Sequence, residues 1–193
     1  MALLRVLEIF DSLQGEGYWT GVPMTFVRLA GCNAPDLGLQ CADWCDTPGS
    51  WDRDGGEALD MVDVVNRVRL PRLCLTGGEP LLQPEAVAEL VAEAQRREIR
   101  VHLETNGTID PPACAPPRSD TGAGAAPAGG LRFDWAVVSP KPPGYAVAPG
   151  WDGLVDELKL VVDDHLDAAT VERLSEAHPE AFVCVQPVWG RAP

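Results

Sequence analysis

The sequence predicts an α/β fold, a partial β/α barrel built on a mainly parallel sheet, in one domain spanning residues 1–193. Three observations carry that expectation. Short β-rich runs recur along the chain, seven in all, and stretches with helical apolar spacing lie between them. Strands alternating with helices imply right-handed βαβ units around a parallel sheet. At 193 residues the chain suits one domain of roughly 100–200 residues, but a closed eight-fold barrel usually takes about 250. Seven strand candidates with few helices therefore fit an incomplete barrel.

The strand candidates are LLRVLEIF (3–10), TFVRLA (25–30), RLCLT (72–76), IRVHLE (99–104), WAVVS (135–139), ELKLVV (157–162) and FVCVQ (182–186). Met61, Val64, Val65 and Val68 fall at i, i+3, i+4, i+7, as do Val87, Leu90, Val91 and Ala94, so two helices are expected there. A third is expected over 166–177, with Asp163 and Asp164 as caps and Pro179 ending it. Residues 111–130 hold five Pro, four Gly and six Ala in twenty positions and no large apolar side chain. Such a stretch buries too little surface to offset the entropy of ordering, and a disordered insertion is expected. The sequence contains no internal repeat.

Composition narrows the function. Fifteen basic against 29 acidic residues leave a net charge of −14, which argues against binding to nucleic acid. No segment approaches the ~18 consecutive apolar residues of a membrane span. The first residues carry Glu8 and Asp11 and no long apolar stretch, so no export signal is expected and the compartment should be reducing and cytoplasmic. In a reducing compartment the six cysteines do not form a disulfide framework. Cys74 and Cys184, each inside an apolar run, read as small core residues, and Cys114 falls in the Pro/Ala-rich stretch.

Cys32, Cys41 and Cys45 remain, clustered after the strand TFVRLA with spacing C-x8-C-x3-C. A zinc site would call for a fourth Cys or His nearby, and none of His102, His165 and His178 lies in a ligand-like pattern. Three thiolates without a fourth partner suit a [4Fe–4S] cluster with one iron open to an outside ligand. The other strand ends are polar turns: Thr76-Gly77-Gly78-Glu79-Pro80, Glu104-Thr105-Asn106-Gly107, Ser139-Pro140-Lys141 and Gln186-Pro187. Each alone reads as an ordinary turn, but parallel strands would gather all of them at one pole, where α/β folds place their sites. Paired glycines there let backbone approach a ligand closely. Lys141 is one of only two lysines, with Lys159, against thirteen arginines, which hints that a compact ammonium is wanted at that turn.

Taken together, EIFDSLQGEG (8–17), FVRLAGCN (26–33), CDT (45–47), TGGEPLLQ (76–83), ETNG (104–107), VSPK (138–141), ELKLVV (157–162) and VQP (185–187) resemble the radical S-adenosylmethionine superfamily. Within it they are similar to the 7-carboxy-7-deazaguanine synthases of queuosine and deazapurine biosynthesis. The resemblance implies a radical S-adenosylmethionine type of partial barrel, with Cys32, Cys41 and Cys45 holding the cluster. It implies S-adenosylmethionine on Gly78, Ser139, Pro140, Lys141, Gln186 and Pro187. It also implies a pterin substrate on Leu13, Gln14, Gly15, Arg28 and Thr76, and Mg²⁺ on Thr47 with Asp46 beside it. The planar fork of Arg28 suits the substrate's carboxylate, and a hard cation with few protein ligands is the habit of Mg²⁺. The implied activity is that of a carbon–nitrogen lyase contracting 6-carboxy-5,6,7,8-tetrahydropterin to 7-carboxy-7-deazaguanine, with ammonia released and no catalytic residue beyond the cofactor's radical chemistry. Implied partners are a flavodoxin or ferredoxin reductant and a second copy of the chain in a homodimer. Two other readings share these motifs: another radical enzyme such as a glycyl-radical activating enzyme, and a non-catalytic metal-binding homologue. The chain departs from the family's pattern in the C-x3-C gap, one residue longer than usual, with Trp44 keeping the aromatic place before the last cysteine.

Overall fold

The computed structural model describes residues 2–112 and 133–188. Residues 113–130 of the expected insertion, Cys114 among them, lie outside the described residues. Among the described residues, eight strands form one sheet: β1 (Leu4–Leu13), β2 (Pro23–Leu29), β3 (Glu57–Leu59), β4 (Arg72–Gly77), β5 (Arg100–Thr105), β6 (Trp135–Val138), β7 (Glu157–Val162) and β8 (Phe182–Pro187). Their order is β3-β1-β2-β4-β5-β6-β7-β8. From β2 onward every neighbouring pair is parallel, whereas β1 runs antiparallel to β2 and β3. The sheet ends at β3 and β8 without closing, so the barrel is partial, as expected. All seven expected strands form, most within a residue or two of the expected bounds. β3 was not foreseen: three residues carry no pattern of their own, and it forms because β1 offers an edge, with Leu4 opposite Leu59.

Among the described residues, three α-helices accompany the sheet: α1 (Met61–Asn66), α2 (Pro84–Arg96) and α3 (Ala168–Ala177). α1 starts where the Asp60 carboxylate accepts the Asp63 N–H at 2.8 Å. α2 opens on Pro84, whose missing N–H would find no partner in a first turn anyway. Its Val87, Leu90, Val91 and Ala94 are fully buried. They pack with Leu73 and Leu75 of β4 and Val101 and Leu103 of β5. α3 corrects the expected cap: Asp167 accepts from Thr170 N–H at 2.8 Å. Asp163 instead takes the N–H groups of His165 and Leu166 and the Tyr145 hydroxyl, fixing the turn before the helix.

Strand alternation divides the sheet into two faces. Leu158 and Leu160 of β7 join the helix-side core, while Glu157 and Lys159 face the concave side with His102 and Glu104 of β5. Lower on that side, Phe10 and Phe26 stack at 5.3 Å and pack with Met24 and Cys74. Cys74 is a core residue, as expected. Cys184 is not: β8 is an edge strand exposed along much of its length, with Val185 60% exposed. The apolar run FVCVQ gave no sign of this because an edge lacks the neighbour that would cover it.

Candidate active site

A cavity of about 600 Å³ opens over the C-terminal ends of the parallel strands, within the usual 300–1,000 Å³ of a small-molecule site. One wall is the loop after β2. There Cys32, Cys41 and Cys45 all face the cavity, with Thr47 beside them. Another wall is the end of β1 and the loop after it, with Leu13, Gln14 and Gly15, and Arg28 of β2. The floor and remaining sides come from Thr76 and Gly78, Glu104, Ser139 and Lys141, Lys159, Gln186 and Pro187. Every residue expected from the sequence lines this cavity except Pro140, which does not reach it.

The cysteine loop is held by several independent ties. A 3-10 turn (Gln40–Trp44) carries Cys41, and the Gln40 N–H donates to the Pro142 carbonyl at 3.0 Å. The Lys141 ammonium lies 5.7 Å from the centre of the Trp44 ring, a cation–π distance. The Glu79 N–H donates to the Gly31 carbonyl at 2.8 Å, which docks the glycine turn onto the loop. Gly77 adopts φ +150°, where a side chain is strained. At Gly78 a Cβ would collide with the Gly31 carbonyl and sit 2.7 Å from Cys32 Cβ, so only glycine permits this approach. Burial pushes the Cys41 thiol up to about 11 against the pull of Lys141, and burial likewise raises Cys32. Cys32 and Cys45 each raise Cys41 further, so the three thiols feel one another's charge. Among the described residues no three His, Cys, Asp or Glu side chains are gathered to metal-ligating distance, so the thiols share a wall as free cysteines. Their chemistry suits a soft iron–sulfur centre: three thiols and no competing histidine. Metal bonding would supply the charge compensation that burial withholds from their ionised forms.

Thr47 precedes a 3-10 turn (Pro48–Ser50), yet its hydroxyl caps nothing there. It lies 3.8 Å from Cys45 Sγ and faces the cavity. With the Asp46 carboxylate lining the same wall, the oxygen donors suit a hard divalent cation.

On the substrate side, Arg28 gives its Nε to Glu8 at 2.7 Å, which leaves the Nη pair as the edge able to take a carboxylate. Sequence reasoning passed over the charges beneath. Glu104 accepts from Gln14 Nε2 at 3.0 Å and from Thr76 Oγ1 at 3.1 Å. Lys159 Nζ reaches Glu104 at 3.5 Å and Glu16 at 2.8 Å. Burial alone would raise the Glu104 carboxyl, but Lys159, Gln14 and Thr76 outweigh it and leave it below its ordinary value. Burial likewise opposes the Lys159 ammonium, and Glu104 and Glu16 overcome it, so its pKa stands raised. Lys141 runs the other way, lowered by burial and then by its neighbour Lys159. It donates to Ser139 Oγ at 2.7 Å. Glu79, wholly buried, accepts from Thr105 Oγ1, Asn106 N–H and Leu81 N–H at 2.8–2.9 Å and so joins the TGGEP and ETNG turns. A lysine inside the apolar run ELKLVV was the available sign of this network.

An open β/α barrel with three cysteines after one parallel strand and a Gly-Gly-Glu turn after the next defines the radical S-adenosylmethionine class of fold. The chain belongs to the 7-carboxy-7-deazaguanine synthase family. It is 34% identical over 192 residues to the 7-carboxy-7-deazaguanine synthase of Pyrobaculum aerophilum, covering 96% of this chain and 79% of that one. With that of Thermoplasma acidophilum it shares 33% over 198 residues, covering 97% and 84%. A shorter match to that of Methanospirillum hungatei reaches 46% over 109 residues and covers 55% of this chain, but spans only 43% of the relative's length. No family model matches the chain. Among solved structures, QueE from Escherichia coli superposes with a TM-score of 0.71 at 23% identity, over 98% of this chain and 85% of that one. At that identity the likeness bears on the fold.

Proposed function

We propose that the chain is a 7-carboxy-7-deazaguanine synthase, contracting 6-carboxy-5,6,7,8-tetrahydropterin to 7-carboxy-7-deazaguanine with release of ammonia. The observation that carries this reading is the convergence of the three thiols, the Thr47 hydroxyl, the Gly78 turn and the Gln14/Arg28/Thr76 group on one cavity. Bound there, a [4Fe–4S] cluster and S-adenosylmethionine would supply one-electron radical chemistry able to abstract hydrogen from the pterin. Cys32, Cys41 and Cys45 hold the cluster. Gly78, Ser139, Pro140, Lys141, Gln186 and Pro187 carry S-adenosylmethionine, with Pro140 acting by shaping its turn. Leu13, Gln14, Gly15, Arg28 and Thr76 bind the pterin, Arg28 clamping its carboxylate through two charge-assisted hydrogen bonds. Thr47, with Asp46, would hold Mg²⁺, which would supply Lewis-acid polarisation of the substrate.

Residues 1–193 act as one domain. A flavodoxin or ferredoxin delivers the single electron, and the working form is a cytoplasmic homodimer. The charge of −14 supports a partner other than nucleic acid, and among the described residues no helix is long and apolar enough to cross a membrane.

The test is anaerobic. Reconstituted protein should hold about four irons and four sulfides per chain, and should form 7-carboxy-7-deazaguanine from the carboxytetrahydropterin when S-adenosylmethionine, Mg²⁺ and reductant are present. One zinc per chain, or cleavage of S-adenosylmethionine without the ring-contracted product, would overturn the reading.

A further inference from the structure

We propose that Lys159 is a positioning residue for the pterin: its ammonium ties Glu16 of the loop after β1 to Glu104 at the end of β5 and so holds the substrate wall of the cavity in register. The inference rests on reading that wall as the pterin site.

Lys159 sits in β7, whose alternation sends it to the concave face, where it is 7% exposed. A buried ammonium is a poor device for stability. Desolvating it offsets most of what its partners return, and an apolar side chain of similar size commonly does as well. What distinguishes this lysine is the span of its partners. Glu16 Oε2, at 2.8 Å, belongs to residues 14–17, and Glu104 Oε1, at 3.5 Å, belongs to the centre of the sheet. Gln14, two residues before Glu16, donates to that same Glu104 oxygen, and Thr76 of β4 donates to the other. A loop and three strands therefore converge on one carboxylate, and Lys159 supplies the positive charge that holds the loop down on it. Glu16 is half exposed, so without this ion pair little else keeps its side chain turned inward. Gly15, which lines the cavity between Gln14 and Glu16, would lose its fixed distance from Arg28 and Thr76, whereas Gln14 keeps its backbone pairing with Val22 and Gly21.

Binding measurements on the cluster-loaded protein separate this role from a general structural one. In Lys159→Met the affinity for 6-carboxy-5,6,7,8-tetrahydropterin should fall at least about tenfold, the scale of removing one partner from a buried charged pair. Affinity for S-adenosylmethionine and iron content should stay at wild-type levels, and Lys159→Arg should recover most of the loss. Because Lys159→Met strands the buried Glu104 and could fail to fold, Glu16→Ala is the second arm. It cuts the tie from the half-exposed side, leaves Lys159 beside Glu104, and should weaken pterin binding severalfold with S-adenosylmethionine binding unchanged. Should Glu16→Ala bind the pterin as wild type does, or should either variant lose S-adenosylmethionine to the same degree, the positioning role is refuted while the functional reading stands. Failure of the wild-type protein to bind the pterin at all overturns both.

Discussion

Replacing Glu79 by alanine should be among the most disruptive single changes in this chain outside the hydrophobic core. Its carboxylate is fully buried and accepts two backbone N–H groups, of Leu81 at 2.9 Å and Asn106 at 2.8 Å, together with the Thr105 hydroxyl at 2.9 Å. Alanine leaves three donors without a partner in the interior, at about 1–3 kcal/mol each. The three belong to one network, so their costs do not simply add. The change also removes a desolvation penalty, the burial that pushes the Glu79 carboxyl above its ordinary value. The net loss expected is therefore about 3–5 kcal/mol. For a domain of this size each kcal/mol moves Tm by about 2–4 °C, which places the drop on the order of 10 °C. Glu79→Gln keeps one oxygen for Leu81 and Thr105 but turns an amide NH₂ toward the Asn106 N–H, and should lose about 1–3 kcal/mol. The assay is thermal unfolding followed by circular dichroism under argon, with the iron content of each variant measured in parallel. An alanine variant within about 1 kcal/mol of wild type would refute the argument that this carboxylate joins the two turns.

Alanine at Cys32, Cys41 or Cys45 should abolish the brown iron–sulfur absorbance, whereas Cys184→Ser, on the edge strand, should leave it intact; a full cluster in any of the three alanine variants would contradict the ligand assignment. Thr47→Ala should raise the Mg²⁺ requirement for turnover while sparing S-adenosylmethionine binding and leaving stability nearly unchanged, because the hydroxyl caps no turn; normal turnover without added Mg²⁺ would dismiss the metal role. Leu90→Ala, at a fully buried contact of α2, should cost about 2–5 kcal/mol in chemical denaturation, and a loss under 1 kcal/mol would mean the site collapses around the change. His102 is lowered from 6.5 to about 4 by burial and by Arg72 and Arg100, against a weaker pull from Glu104. The folded state thus binds fewer protons than the unfolded one in that window, so stability is full above pH 6.5 and is lost as the pH falls toward 4. The loss should amount to at most about 3 kcal/mol, and a His102→Gln variant with the same acid dependence would show that another group is responsible.

Much of the scaffold is local in origin and so could be read from the chain. The runs RLCLT, IRVHLE and ELKLVV announce strands because residues buried on the helix side recur at every second position. Val87, Leu90, Val91 and Ala94 announce α2 because a helix buries one stripe. The turns that follow those strands could be placed at one pole because parallel connections leave no other option, and every site residue expected from them except Pro140 does line the cavity. Residues whose state depends on a neighbour were less legible. Cys184 looked like core, yet β8 lies at an edge. β3 exists only where β1 can pair with it, and the cap of α3 moved to Asp167 because Asp163 was engaged by the preceding turn.

By itself the sequence determined the class of fold, the pole at which chemistry would gather and the three thiols on one loop, since periodicity and turn composition act within a few residues of the chain. Only the tertiary structure decided how the charges under that pole are paired. Lys159 meets Glu16 across 143 positions and Glu104 across the sheet, and Lys141 comes to rest over Trp44. A lysine in an apolar run flags a buried charge but not its partner, because the energy of a buried charge depends on what the fold brings beside it, and that is settled only when distant strands have packed.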